Sequence, residues 1–134
     1  MRLFEVGAGI VWDGTNVLIA RRKDGDHQGG LWEFPGGKRR PQESIESCLR
    51  REMMEEIALD VTVGRLWRAL THVYADRRVS LYFHYCAARG GTPRPIECAE
   101  IRWVRPDALL SLPFVEGDLL VLPDLARDLA AGAV

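Results

Sequence analysis

One segment combines a clear helical period with charges at the end of a helix that normally disfavours them. Apolar residues recur at helical spacing from Ile45 to Met53, and Ser44 is an acceptable N-cap, so the sequence predicts an amphipathic helix from Ser44 to about Ile57. Its last turns carry three glutamates, Glu52, Glu55 and Glu56. Because positions i, i+3 and i+4 share one helix face, these carboxylates repel one another at the negative end of the helix dipole.

The mutual repulsion of these carboxylates has to be compensated by other charges or by solvent. Local rules of this kind are usually broken at functional sites, and the simplest compensation is a hard divalent cation with oxygen ligands, Mg²⁺ above all. The alternative is a solvated acidic face helped by Arg50 and Arg51. Charge spacing alone leaves both interpretations open.

The residues around the glutamates favour the interpretation of this cluster as a metal site. Polar or glycine residues recur at fixed separations along this segment: Gly37, Glu43, Arg51, Glu52, Glu55 and Glu56. With apolar Met53 and Leu59, their spacing resembles the Nudix box, G-x5-E-x7-R-E-U-x-E-E-x-G-U with U apolar, which defines the Nudix hydrolase family. Ala58 departs from the pattern, which has Gly there. If that position needs a left-handed backbone, Ala costs about 1 kcal/mol relative to Gly.

The resemblance implies a reaction and a set of residues. Members of the family cleave a diphosphate linkage in a nucleoside diphosphate joined to another group, using Mg²⁺ or Mn²⁺. The metal ligands so implied are the Gly36 carbonyl, Glu52, Glu55 and Glu56. A carboxylate in or beside that shell can take a proton from the attacking water, and Glu52 is the first choice as general base. Glu43 and Arg51 are the implied pair that orients the glutamates.

Similarity to the MutT-like branch, which hydrolyses (deoxy)nucleoside triphosphates to the monophosphate and pyrophosphate, extends over nearly the whole chain. The run LWEFPGGK at 31–38 is common in that branch. Glu97, six residues before Trp103, matches an additional catalytic or metal-binding glutamate, although Glu100 competes for this role. The turn 76–78 matches a nucleotide-contacting Asp-Arg turn.

The same branch implies residues that bind the nucleotide. Arg22 and His27 would approach the phosphate or sugar, and Phe34 the base. Basic clusters are normally solvated surface, but those that contain Arg22, Lys38 and Arg77 flank the proposed site, which favours contacts of these three residues with the triphosphate. Asp118 stands where the oxidised-guanine enzyme of this branch has Asn, while MutT-like cytidine-triphosphate hydrolases also carry Asp there. An ionised Asp only accepts hydrogen bonds, from a guanine or a cytosine edge, so the base stays open. Glu116 is a nearby second candidate.

Composition sets the class of protein. The chain of 134 residues holds 18 Lys and Arg against 19 Asp and Glu, a net charge of −1, which excludes a general polyanion binder, so no stable nucleic-acid complex is expected. No apolar run approaches a membrane span, and the three cysteines form no CxxC pair. We expect a soluble, cytoplasmic protein, monomer or homodimer, with one domain over 1–134.

The predicted fold class is α/β (α+β), with a mixed sheet sandwiched between helices, as in the Nudix fold. Predicted strands cover 6–12, 17–20, 31–34, 62–74, 79–88 and 101–104. The first two are predicted to be adjacent strands joined by a turn at 13–16, and residues 35–37 a tight turn. A helical turn is predicted at 107–110, and a C-terminal helix from 116–118, kinked or starting late because of Pro123.

The preferred hypothesis is a Mg²⁺-dependent nucleoside triphosphate pyrophosphohydrolase that removes 8-oxo-dGTP or another non-standard nucleotide. CTP or a dCTP analogue is the second choice of substrate, and ADP-ribose or RNA caps rank lower. From another class, the domain would be a non-catalytic nucleotide sensor or partner-binding module. The complete set of glutamates with Arg51 argues against that class, since a pure binder does not need it.

Overall fold

The computed structural model describes residues 2–132, in which strands and helices form two sheets and two helical layers. The strands are β1 (Arg2–Val11), β2 (Val17–Arg21), β3 (Trp32–Glu33), β4 (Gly36–Lys38), β5 (Asp60–Val73), β6 (Arg77–Gly90) and β7 (Glu100–Val104). The α-helices are α1 (Ile45–Ile57), α2 (Glu116–Leu119) and α3 (Leu122–Ala130), and Pro106–Ser111 form a 3-10 helix. Among these residues, no helix is both long enough and apolar enough to span a bilayer.

The larger sheet is mixed and has the order β4-β1-β6-β5, with β1 parallel to β6 and the other neighbours antiparallel. The smaller sheet, β3-β2-β7, is antiparallel. Apolar side chains form two buried clusters. One contains Leu49 and Met53 of α1, and the other contains Leu125 of α3 with Phe83 of β6. This is the predicted α/β (α+β) class, with the difference that the strands are divided between two sheets.

The prediction that the first two strands are adjacent is wrong. The turn forms, because the Asp13 carboxylate accepts hydrogen bonds from the backbone N–H groups of Thr15 and Asn16. However, only a single bridge, Trp12 with Val17, joins the two segments. Both edges of β1 are already paired, one with β4 and the other with β6, so β2 enters the second sheet.

The prediction of a tight turn at 35–37 is also wrong, since Gly36 and Gly37 belong to a strand paired with β1. Close approach explains the glycines. A Cβ on Gly36 would lie 1.9 Å from the Gly7 carbonyl oxygen, and one on Gly37 would lie 2.4 Å from the Glu52 carboxyl carbon. A side chain at Gly36 would push β4 away from β1, and one at Gly37 would displace the Glu52 carboxylate.

Other predicted elements are confirmed within a few residues. Helix α1 has Ser44 as its N-cap, with the hydroxyl oxygen accepting from the Ser47 N–H. Strands β5 and β6 form the long antiparallel pair. The C-terminal helix is interrupted before Pro123, which occupies the first turn of α3, where its missing N–H costs nothing. Ala58 caps α1 in the left-handed region, with φ 57° and ψ 34°.

Candidate active site

A pocket of about 690 Å³ opens beside β1, β4 and β6 and is bordered by the loop 22–30 and by α2. Nine of the residues singled out from the sequence line it: Arg22, His27, Phe34, Gly36, Lys38, Glu56, Arg77, Glu97 and Asp118. The other four, Glu43, Arg51, Glu52 and Glu55, are on α1 or just before it and are not part of the pocket wall. The fold thus brings together residues that are far apart in the chain.

Arg51 is the hub of a charged network beside the pocket. Its guanidinium donates to both carboxylate oxygens of Glu43, at 2.5 and 2.9 Å, and to Glu52 at 2.7 Å and Glu55 at 3.2 Å. It also donates to the Lys38 carbonyl at 3.1 Å. These hydrogen bonds hold the pKa of Glu43 at about 2 and raise that of Arg51 above its ordinary value. Arg51 therefore fixes α1 against the end of β4.

Glu52 packs against the backbone at Gly37, which itself lines the pocket. Burial raises the pKa of Glu52, the Arg51 hydrogen bond opposes this, and the charges of Glu55 and Glu97 raise it further. A carboxylate with a raised pKa is suited to proton transfer. Because Gly37 has no side chain, the Glu52 carboxylate can lie at the pocket edge.

Glu56 is a buried carboxylate that protrudes into the pocket, with 7% of its surface exposed. Burial raises its pKa to about 8, the charge of Glu33 adds to this effect, and a backbone hydrogen bond from Gly36 opposes it. Glu33 was not identified from the sequence. Burial also raises the pKa of Glu33, although the Arg22 guanidinium lies 3.2 and 3.3 Å from its two oxygens. Its position between two large aromatic residues, Trp32 and Phe34, both of which are buried, is the sequence feature that could have indicated a partly buried carboxylate.

Glu97, rather than Glu100, faces this group of carboxylates. Glu97 lines the pocket, and its backbone N–H donates to the Glu56 carbonyl at 3.1 Å. Glu100 instead accepts hydrogen bonds from Arg21 at 3.2 Å and from Arg102 at 3.0 Å, which lower its pKa. The geometry therefore favours Glu97 for the role that the sequence left open between the two.

The acidic end of the pocket fits a hard divalent cation by its chemistry. It comprises Glu33, Glu56 and Glu97, which line the pocket, with Glu52 beside them at the pocket edge. Burial is the main cause of the raised pKa values of Glu33, Glu52 and Glu56, and neighbouring carboxylates add to it. Within residues 2–132, no three acidic, histidine or cysteine side chains already converge as ligands. Glu52 and Glu55 accept from Arg51 instead, so binding an ion requires these side chains to turn.

Aromatic rings with cations on their faces also line the pocket. The Phe4 ring has the Lys38 ammonium 4.3 Å from its centroid and the Arg2 guanidinium at 4.8 Å. The Arg77 guanidinium lies 4.6 Å from the Tyr74 ring. Cations held on aromatic faces remain available to an anionic ligand, while the rings cover apolar surface. These residues are suited to a nucleoside with phosphates.

Asp118 is buried in the pocket lining, with 4% of its surface exposed. The Phe34 N–H donates to its Oδ2 at 3.0 Å, and burial nevertheless raises its pKa to about 8, with the charge of Glu33 adding to this effect. Burial thus favours the protonated carboxyl, which can donate as well as accept, over the ionised form assumed from the sequence. Phe34 itself packs in the core against Phe83 and Phe114.

Comparison with known proteins identifies relatives of this chain. Residues 7–122 match the family model described as the NUDIX domain. The chain is 44% identical over 79 residues to an 8-oxo-dGTP diphosphatase of Proteus vulgaris, covering 58% of this chain and 70% of the relative. It is 32% identical over 122 residues to the CTP pyrophosphohydrolase of Escherichia coli strain K12, covering 91% and 90%.

Solved structures show the same fold. The solution structure of the Escherichia coli ORF135 protein has a TM-score of 0.82 at 32% identity, covering 98% of this chain and 94% of that one. The crystal structure of a MutT NUDIX hydrolase from Burkholderia pseudomallei has a TM-score of 0.82 at 22% identity, covering 92% and 98%. At that identity the second likeness concerns the fold alone.

Proposed function

The chain belongs to the Nudix hydrolase family, as its Nudix-box pattern predicts, and we propose that it hydrolyses a nucleoside triphosphate to the monophosphate and pyrophosphate with Mg²⁺. One observation carries the proposal, namely that carboxylates and cationic side chains line the same pocket. Glu33, Glu56 and Glu97 line it together with Arg2, Lys38 and Arg77, whose charged groups lie on aromatic rings. A triphosphate with a bound cation is complementary to both kinds of group.

Nudix hydrolases generally use divalent metal ions, and the acidic end offers oxygen ligands for one. We assign the binding of Mg²⁺, with Mn²⁺ as the alternative, to the following groups: the Gly36 carbonyl and the carboxylates of Glu52, Glu55, Glu56 and Glu97. Such an ion supplies charge neutralisation at the phosphates and acidifies bound water. The local excess of carboxylate charge around Glu56 supports this assignment.

Proton transfer is assigned to Glu52. A water attacks one phosphorus of the triphosphate, a new P–O bond forms, the bond to the leaving phosphate oxygen breaks, and the carboxylate takes the proton of the water. The Arg51 hydrogen bond at 2.7 Å keeps the Glu52 side chain at the pocket edge, and Glu43 holds Arg51 from behind. Glu43 and Arg51 are thus positioning residues.

Substrate contacts are assigned to the remaining residues of the pocket. Arg22, His27, Lys38 and Arg77 would meet the phosphates or the sugar, and Phe34 the edge of the base. A protonated Asp118 offers one donor and one acceptor, the combination that Asn provides, which is compatible with recognition of a guanine edge. The preferred substrate is 8-oxo-dGTP, the nucleotide in the name of the Proteus vulgaris relative.

CTP or a dCTP analogue is the second candidate. It rests on the similarity to the Escherichia coli CTP pyrophosphohydrolase, which extends over 91% of this chain. Asp118 can accept a hydrogen bond from the cytosine amino group in either protonation state, and the protonated carboxyl can also donate to the ring nitrogen N3 of cytosine.

A nucleotide panel tests the proposal. The protein is incubated with Mg²⁺ and 8-oxo-dGTP, dGTP, CTP, dCTP or ADP-ribose, and pyrophosphate and monophosphate are measured, with a sample in chelator as control. We expect pyrophosphate release with the highest kcat/KM for 8-oxo-dGTP. Higher kcat/KM for CTP or dCTP replaces the preferred substrate with the second candidate. Absence of turnover with all triphosphates and with ADP-ribose would refute the enzymatic proposal.

A further inference from the structure

Gln28 occupies an unusual backbone position in the loop that borders the pocket. Its φ is +54°, in the left-handed region, where a residue with a Cβ pays about 1 kcal/mol or more. The side chain of Gln28 reaches α2, 88 residues further along the chain, and accepts a hydrogen bond from the Glu116 N–H at 2.8 Å. A strained loop residue that contacts a distant element is a reason to look for function there.

The contact with Glu116 determines which way the amide of Gln28 points. A backbone N–H can only donate, so the atom that faces it must be the amide oxygen. The amide nitrogen then faces His27, whose Nε2 lies 3.1 Å away. Because an amide NH₂ group can only donate, the Nε2 of His27 must accept.

A second donor meets the same ring nitrogen. The Arg77 guanidinium, from the start of β6, lies 3.5 Å from His27 Nε2, and a guanidinium has no acceptor. With both donors on Nε2, the ring is neutral and carries its proton on Nδ1. His27 is exposed and lines the pocket, and its side-chain hydrogen bonds within residues 2–132 are at Nε2, so the Nδ1–H can donate to an acceptor oxygen of a ligand.

The same loop also fixes Arg22. The Arg22 Nε donates to the His27 carbonyl at 2.7 Å, and its Nη1 meets Glu33. Gln28 is therefore the point where the loop is joined to α2, the helix that carries Asp118. This hydrogen bond joins the loop that carries Arg22 and His27 directly to the helix that carries Asp118.

We propose that Gln28 is a positioning residue, which holds His27 as the neutral tautomer protonated at Nδ1 and fixes the loop 22–30 to α2, so that His27 donates to an oxygen of the bound nucleotide. The part concerning the nucleotide rests on the proposed function. The part concerning the tautomer rests only on the described hydrogen bonds.

Two measurements test this role on the full chain. Long-range ¹H–¹⁵N NMR spectra at pH 8.5 identify the protonated nitrogen of His27. Steady-state kinetics with Mg²⁺ and the best substrate of the panel give KM and kcat. The variants are Gln28→Leu, which removes both hydrogen bonds, and Gln28→Glu, which keeps an acceptor for the Glu116 N–H but presents an acceptor to His27. Gln42→Leu, at the other glutamine, in an exposed turn before α1, is the matched control.

We expect the proton of His27 on Nδ1 in the wild type and in Gln42→Leu, and on Nε2 in Gln28→Glu. Gln28→Leu raises KM about threefold to tenfold, the equivalent of one ordinary hydrogen bond, with kcat changed less than about twofold. The proposal is overturned if wild-type His27 is protonated at Nε2, or if Gln28→Leu and Gln42→Leu have equal KM. If no nucleotide is hydrolysed, the proposed function fails while the spectra still decide the role of Gln28.

Discussion

At the residue scale, Glu52 is the residue on which the proposed chemistry depends most. Glu52→Gln removes the proton acceptor and one carboxylate of the acidic end, while the amide oxygen still accepts from Arg51. We expect kcat to fall by about 10²- to 10⁴-fold, the usual range for loss of general base catalysis, with little change in Tm. Pyrophosphate release and thermal unfolding measure the two quantities.

The control for this variant is Glu46→Gln, an exposed position in the first turn of the same helix. It should retain kcat within about twofold, because Glu46 lies far from the site along α1 and outside the pocket wall. Near-normal turnover by Glu52→Gln would transfer the role of base to Glu97, and Glu97→Gln would then carry the loss.

Asp118 gives a residue-scale prediction about pH. Its pKa is about 8 in the folded protein and 3.8 for the ordinary side chain, so the folded state keeps a proton that the unfolded state releases. Stability from this proton is complete below about pH 4 and is lost as the pH rises to about 8. Asp118→Asn stays neutral and still accepts from the Phe34 N–H.

We therefore expect Asp118→Asn and wild type to be most similar in Tm at about pH 4, and the variant to exceed wild type by roughly 5 °C or more at pH 8.5. Thermal unfolding across this range is the measurement. Asp107→Asn, an exposed aspartate of the 3-10 helix, serves as the control and should show no such divergence. Parallel Tm curves for Asp118→Asn and wild type would mean that Asp118 is ionised at neutral pH.

Some residues of the site were beyond sequence reasoning for a physical reason. The Nudix-box residues share one helix and one turn, so their spacing already places them together. Glu33 and Gln28 acquire their surroundings only through contacts with distant segments, Glu33 beside Glu56 and Gln28 at Glu116. The protonation of Asp118 depends likewise on burial that no local pattern encodes.

At the element scale, the left-handed backbone at the C-terminal end of α1 should lower the free energy of unfolding, and this can be tested. Ala58 adopts φ 57°, and its N–H donates to the carbonyls of Met53 and Met54, which is the C-cap that glycine normally provides. Ala58→Gly removes the clash of Cβ in this conformation. We expect a gain of about 0.5–1 kcal/mol in the free energy of unfolding, measured by urea denaturation.

The same substitution at the C-cap of α3 is the control. Ala131 has φ −82°, so Ala131→Gly relieves no strain and only gives the unfolded chain more freedom. It should leave stability unchanged or lower it by up to about 1 kcal/mol. Equal effects of the two variants would show that the left-handed backbone of Ala58 carries no cost.

Elements were predictable where their signal is local, and not where pairing is decided elsewhere. Helix α1 follows from period and cap, and the β5–β6 pair from two long β-rich runs with a short turn. The partners of β1 do not follow in this way, because its parallel neighbour β6 is about seventy residues away in the chain. The glycines of β4 were similarly ambiguous, since a close approach to Gly7 and a turn both require glycine.

At the scale of the whole molecule, a net charge of −1 conceals a separation of charge. Carboxylates cluster around Glu56, and arginine and lysine side chains line the same pocket. The fold bears the cost of this arrangement when no cation is bound, because Glu56 is buried near Glu33 and Glu52. The negative charge of a buried carboxylate that we assign to metal binding should therefore lower the stability of the metal-free protein.

Glu56→Gln tests this trade-off. Gln keeps an acceptor for the Gly36 N–H and removes a buried negative charge, so in chelator at pH 8.5 we expect its Tm to exceed that of wild type by several degrees. Adding millimolar Mg²⁺ should raise the Tm of wild type by mass action and that of Glu56→Gln much less. The difference in Tm between the two proteins should therefore become smaller or change sign. Glu46→Gln should follow wild type in both conditions. A lower Tm for metal-free Glu56→Gln would contradict the proposed cost, and an equal Mg²⁺ response in both proteins would remove Glu56 from the assigned ligands.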